Sequence, residues 1–176
     1  MTLHLRDALD AESDTVLSIT LAAYGQYETA YPPEFWTPYR LNIVEQFTKE
    51  NDAQKIVAAR DGAIVGSVLL FPPPIPAAAR VKRESLPEIR LLAVTPQARG
   101  LGVGGALLEE CIRRARASGV PALGLHSMEV MTVAIGMYER AGFVRDPRAD
   151  FQPTPAVLVM GYRLDFDAAH TPVHPT

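Results

Sequence analysis

A chain of 176 residues with a single cysteine, Cys111, has no internal disulfide to brace it. No uninterrupted apolar run reaches the roughly 18 residues of a membrane span, because the longest candidate, "VGSVLLFPPPIPAAA", is cut by prolines. The opening "MTLHLRD" is charged where a secretory signal needs an apolar centre, so the cytoplasm is the expected location. Positive charge is not in excess either. Lys and Arg number 17 against 20 Asp and Glu, a formal net charge of −3, and the one basic cluster, "RVKRE" at 80–84, reads as a solvated loop. A nucleic-acid partner is thereby excluded, since phosphate-backbone binding needs a concentrated basic face. The four histidines show no metal-ligand spacing, and no metal is implied. There is no internal repeat and no sign of a second domain. What is present is ordinary globular material, 48% apolar and 21% charged. It is read as one domain over 1–166 with a loose tail at 167–176.

Along the chain, "LHLR" alternates as a first strand should. A helix is expected from Asp14 to Tyr27, ended by "YPPEFWTP", because consecutive prolines lack the amide proton. A second helix is expected from Tyr39 to Lys49. "KIVAA" and "AIVGSVLLF", separated by Arg60, Asp61 and Gly62, read as an antiparallel hairpin. A Pro/Ala-rich connection over 72–87 leads to "EIRLLAV", apolar on both faces and therefore central. Period-2 alternation puts Glu88, Arg90, Leu92 and Val94 on one face of that strand. The next helix, Gly102 to Ala117, is specified by its own charges, with Glu109 and Glu110 four residues before Arg113 and Arg114. "ALGLHS" is a strand, "MEVMTVAIGMYERA" a helix stopped by Gly142, and "AVLVMGYRL" a last strand.

Chemistry concentrates in "RGLGVGG". Amides at a helix start have no carbonyl partner and, with the helix dipole, make a diphosphate site. Gly100, Gly102, Gly104 and Gly105 would let the anion approach, and the Arg99 guanidinium would add charge-assisted bonds. The same glycines also suit a tight turn and close helix–sheet packing. A P-loop is ruled out, because Ala106 and Leu107 stand where Lys-Ser/Thr would follow Gly105. A dinucleotide fingerprint matches at Gly100, Gly102 and Gly105, but lies too far from the strand end at Val94 and too late in the chain. It stays as an oxidoreductase alternative.

A third reading rests on two motifs. "LAVTPQARGLGVGGALL" resembles motif A of the GNAT superfamily of acyl-CoA-dependent N-acetyltransferases, through Arg99, Gly102 and Gly104. Further on, "AIGMYERAGF" is similar to that family's Ala-Ile-x-x-Tyr-Glu-x-x-Gly-Phe segment, in the right order and at the right distance. The resemblance implies an α/β (α+β) fold. Its central sheet would be mixed and mostly antiparallel, of six to seven strands flanked by about four helices, split at two central parallel strands. It implies acetyl-CoA as co-substrate, bound by Leu92, Ala93, Val94, Arg99, Gly100, Leu101, Gly102, Val103, Gly104, Gly105, Met131 and Ala134. The family often has Asn at the Met131 position, contacting the pantetheine arm, so one polar contact is missing there. A strand bulge near Ala93 to Thr95 would free backbone groups for the acetyl and pantetheine.

The implied reaction is acetyl transfer to a primary amine of a small molecule or peptide by direct attack. An alkyl ammonium has a pKa of about 10.4, so a base is needed. Glu88, six residues before Val94, resembles the base carboxylate of the family's histone-modifying branch; the other reading of Glu88 is a surface glutamate paired with Arg90. A main-chain N–H near Val94 would stabilise the developing oxyanion. Tyr138 matches the family's general acid for the leaving thiolate, although Met131, Ala134, Ile135 and Tyr138 also form a packing period. Tyr31, Glu34 and Trp36, in the Pro-rich loop of an aromatic cluster, are the acceptor candidates. Cys111 reads as core, and His126 stands alone after its strand. Whether two copies pair as a homodimer is left open. A non-catalytic acyl-CoA-binding regulatory module is the other class of function that these residues allow.

Overall fold

A computed structural model describes residues 2–74 and 86–166. The basic 80–84 segment, most of the Pro/Ala-rich connection and the tail beyond residue 166 lie outside the described residues. In chain order the elements are β1 (Leu3–Asp7), α1 (Ser13–Gly25), α2 (Pro33–Thr48), β2 (Gln54–Arg60), β3 (Ala63–Phe71), β4 (Glu88–Val94), α3 (Val103–Ala117), β5 (Ala122–Met128), α4 (Thr132–Arg140), β6 (Val144–Arg145), β7 (Phe151–Thr154) and β8 (Val157–Asp165). Among the described residues no helix is long and apolar enough to cross a membrane.

The strands form one sheet in the order β1-β2-β3-β4-β5-β8-β6, with β7 also on β8. Every pairing is antiparallel except β4 with β5. This is the mixed, mostly antiparallel sheet that the sequence implies, with eight strands among the described residues where six to seven were expected. The additions are β6, two residues long, and the short β7, both in a Pro-bearing stretch without apolar alternation. The β2–β3 hairpin turns on Asp61 and Gly62, both at positive φ (49° and 83°), as a two-residue loop matched to strand twist requires.

The sheet separates two apolar layers. On one face Val68, Leu70, Ile89, Leu123 and Leu125 pack with Val103, Leu107, Leu108 and Cys111 of α3 and with Tyr138 of α4. On the other, Val57, Leu69 and Leu91 pack with Val16 of α1 and with Ile43 and Phe47 of α2. Helix α2 begins at Pro33, six residues earlier than the prolines led one to expect. Pro32 is its extended N-cap (ψ 149°) and Pro33 its first residue, where the missing amide proton has no intrahelical partner to lose. Pro38 lies inside the helix.

Two features of β4 prepare the site. First, its register against β3 slips between the Ser67↔Ala93 and Leu69↔Arg90 pairs, and Leu91 sits at φ 52°. Two residues, Leu91 and Leu92, thus oppose Val68 alone, which is a β-bulge. The bulge lies upstream of the expected 93–95 position and breaks the expected alternation. Leu91 joins the α1/α2 layer, while Leu92 and Val94 pack on the α3 side. Second, β4 and β5 pair only at Glu88↔Gly124 and Ile89↔Leu125. Beyond these pairs the two parallel strands part, and the sheet is split where the sequence implied.

Candidate active site

The α3 end of the split is lined by main chain. Its N-cap Gly102 has φ 79°, a left-handed conformation in which any Cβ would be strained. The first helical bond runs from Ala106 N–H to the Gly102 carbonyl at 3.0 Å, so the amides of Val103, Gly104 and Gly105 precede any intrahelical partner. A Cβ added at Gly105 would meet nothing within 4 Å. These glycines line a cleft of about 610 Å³ with Leu92, Ala93, Val94, Arg99, Gly100, Val103, Met131, Ala134 and Tyr138. Of the residues expected at the cofactor, Leu101 alone is not among the lining, its side chain being 53% exposed. The Arg99 guanidinium reaches Gln26 Oε1 at 3.3 Å, and Arg140, which sequence reasoning did not single out, also lines the cleft.

The main chain of β4 also contributes. Thr95 N–H donates to the Val65 carbonyl of β3 at 2.9 Å. Alternation along an extended strand therefore turns the Val94 N–H away from β3, toward the parted edge. A second cleft, of about 600 Å³, continues from the split. Its walls come from α2 (Glu34, Phe35, Pro38, Tyr39, Asn42, Gln46), the first half of β4 (Glu88 to Leu91), the end of β5 (His126 to Met128) and β7. Tyr24, His126 and Met131 line both clefts and mark where they meet.

Expected residues separate here. Glu34 lines the second cleft, whereas Tyr31 and Trp36 do not. Tyr31 instead packs edge-on against Phe35, with centroids 5.1 Å apart. Trp36 is buried at 5% exposure, with its Nε1 unpartnered. The Met131 side chain, 7% exposed, is an apolar surface at the junction where the family often carries a polar amide.

Glu88 is embedded in a polar cluster that spacing did not reveal. Arg90 Nε and Nη2 donate to its Oε2 at 2.9 and 2.6 Å, and His126 Nδ1 lies 2.7 Å from its Oε1. His126 Nε2 lies 2.9 Å from the Ala149 carbonyl oxygen. A carbonyl only accepts, so Nε2 is the donor there and Nδ1 is the ring nitrogen that faces Glu88. Burial alone would raise the Glu88 carboxyl, but the hydrogen bonds from His126 and Arg90 outweigh it and hold the group below the usual carboxylate range. Both readings of Glu88 meet here, since it pairs with Arg90 and also faces the second cleft. Tyr138 is buried and edge-on to Phe143 at 6.1 Å. Burial, with Tyr27 and Cys111 nearby, pushes its phenol well above the ordinary value, so it stays protonated at neutral pH.

Fold and clefts together set the unpaired amides of a helix tip in one cleft and a second cleft beside the parted strands. The profile of the acetyltransferase (GNAT) family matches residues 21–143, and the chain belongs to that family. The family is one of acetyltransferases, and acetyl-CoA is its co-substrate. Over 91 residues the chain is 36% identical to the mycothiol acetyltransferase of Cellulomonas flavigena, a match covering 51% of this chain and 26% of that one. It thus spans about a quarter of that relative's length. Over 111 residues it is 33% identical to the IAA acetyltransferase of Azospirillum brasilense, covering 62% and 67%. Among solved structures, one from Corynebacterium glutamicum named histone acetyltransferase HPA2 and related acetyltransferase superposes with a TM-score of 0.69 at 23% identity, covering 93% of this chain and 96% of that one. The oxidoreductase alternative falls with these findings, because a doubly wound parallel sheet is incompatible with a sheet whose one parallel pair is β4–β5.

Proposed function

We propose that the protein transfers an acetyl group from acetyl-CoA to a primary amine of a small molecule or peptide by direct attack in a ternary complex. One observation carries this reading: beside the parted β4 and β5 the amide-lined cleft and the second cleft lie next to each other, sharing Tyr24, His126 and Met131 as walls. Two ligands can then meet end to end without either displacing the other.

Acetyl-CoA fits the first cleft because Gly102 and Gly105 leave the helix tip bare for a diphosphate, which the amides of Val103 to Gly105 and the Arg99 guanidinium would hold. When bound it supplies an acetyl thioester, the carbonyl to which an amine adds. The Val94 N–H is the donor for an oxygen that gains negative charge. Tyr138, kept protonated by burial, is the proton donor for a departing thiolate. The Glu88 carboxylate takes the proton of the incoming ammonium, while Arg90 and His126 Nδ1 hold that carboxylate and the Ala149 carbonyl fixes the imidazole.

Thiol release from acetyl-CoA over a panel of amines, with products weighed by mass spectrometry, tests the reading. Amine-dependent release with an acetylated product supports it. Tight acetyl-CoA binding without release on any amine would instead make the chain a binding module.

A further inference from the structure

Resting on the acetyl-transfer reading, we propose that the acceptor is an aromatic monoamine without a carboxylate: a ring on a short alkyl arm that ends in the reacting amine. Charge is the first argument. The ionised side chains lining the second cleft, besides the His126–Glu88 pair, are Glu34 and Arg90. Arg90 is committed, because both its Nε and Nη2 donate to Glu88 and its guanidinium carbon lies 4.6 Å from the Phe71 ring centroid. No other Lys or Arg lines the cleft among the described residues. Among the described residues the carboxylate of an amino acid would therefore find no uncommitted cation and would meet Glu34, whereas an ammonium is attracted by Glu34.

Shape is the second argument. Phe35 and Tyr39 stack at 5.3 Å with planes 17° apart, Tyr24 lies 6.2 Å from Tyr39, and Phe151 stands edge-on to His126 at 5.3 Å. Met128 and Met131 supply adaptable thioether surface, which packs well on ring edges. With the amine at the junction beside Glu88 and His126, the body of the acceptor extends along these rings, and about 600 Å³ is ample for one ring and its arm. A flat apolar body is matched by stacking and edge contacts there. An aliphatic diamine would need a second uncommitted carboxylate to hold its far ammonium, and Glu34 alone is offered.

Matched acceptors test this with the full chain and acetyl-CoA: phenethylamine and tyramine against tyrosine, putrescine and a lysine-containing peptide, followed by thiol release and product mass. The aromatic amines are expected to exceed tyrosine and putrescine in kcat/KM by about tenfold or more. Glu34→Lys, on an exposed first-turn position of α2, is expected to lower the tyramine-to-tyrosine ratio by about tenfold. Phe151→Ala, at a wall residue that is 44% exposed, is expected to narrow the gap between tyramine and putrescine. Tyrosine, putrescine or the peptide turning over as fast as the aromatic amines would overturn the assignment and leave acetyl transfer intact. Release with none of the amines, despite acetyl-CoA raising the melting temperature, would refute acetyl transfer to amines and this assignment with it.

Discussion

At the scale of single residues, the proposed chemistry depends on two groups pushed in opposite directions. Tyr138 is raised by burial and Glu88 is lowered by its partners. Tyr138→Phe keeps the ring against Phe143 and removes only the hydroxyl, so kcat is expected to fall by about a hundredfold with acetyl-CoA affinity nearly unchanged. Steady-state rates beside calorimetric binding would show it, and a wild-type kcat would remove Tyr138 from the reaction. For Glu88 the sign follows from its depressed pKa. Its contribution to stability is complete above the ordinary glutamate value of about 4.3 and disappears as pH falls through the lower folded value. Glu88→Gln should therefore cost stability at neutral pH, a cost that shrinks as pH falls below the ordinary glutamate value, and should abolish the acidic limb of kcat/KM. Melting curves and a pH–rate profile check both halves. An unchanged profile would move the base elsewhere.

At the scale of elements, α3 was the most legible part of the chain. Its glycine tip, its Glu110–Arg114 pair and its stop after Ala117 all lie within one stretch of sequence, although Arg113 bonds Glu110 where the four-residue spacing pointed to Glu109. Local signals sufficed because local interactions decide them. By contrast, α2 was read as starting late, since prolines that break a helix interior are harmless in its first turn and the sequence alone did not distinguish the two positions. The Glu88–His126 pair was not legible at all. Thirty-eight residues separate the partners, and only the β4–β5 pairing at Glu88↔Gly124 brings them together. The glycine tip yields its own prediction. An added Cβ at Gly105 meets no protein atom, so Gly105→Ala should leave the fold as stable, or more stable by up to about 1 kcal/mol. The same methyl would project into the diphosphate cleft and weaken acetyl-CoA binding by about tenfold or more. A rise in melting temperature together with an unchanged dissociation constant would mean that the phosphates lie elsewhere.

At the scale of the whole molecule, acid is the condition to which the fold responds most directly. Glu12 and Glu110 are lowered to about 2 by Arg6 and by Arg113 with Arg114, and Asp146 and Asp150 are lowered by Arg148 and Arg145. All these groups are depressed, so the unfolded chain binds more protons than the folded one in acid. Stability should stay level above about pH 5 and fall continuously from about 4.3 toward 2. Thermal melts across that window would show a plateau and then a slope; a maximum near pH 4 would contradict it. Acetyl-CoA at a hundred times its dissociation constant should add about 2.7 kcal/mol, and NAD at the same concentration much less. The split sheet was legible as a consequence of the family motifs. The position of the bulge was not, because a leucine at φ 52° follows no residue preference.

That leucine changes the parity of its strand. Upstream of it, even-numbered Glu88 and Arg90 look toward α1 and α2; downstream, even-numbered Leu92 and Val94 look toward α3. In the proposed reaction a single ribbon would thus serve amine on one side and thioester on the other without a second strand to translate between them. Excising one residue at Leu91 would restore the count, turn the carboxylate onto the thioester side and leave the amine compartment without its proton acceptor.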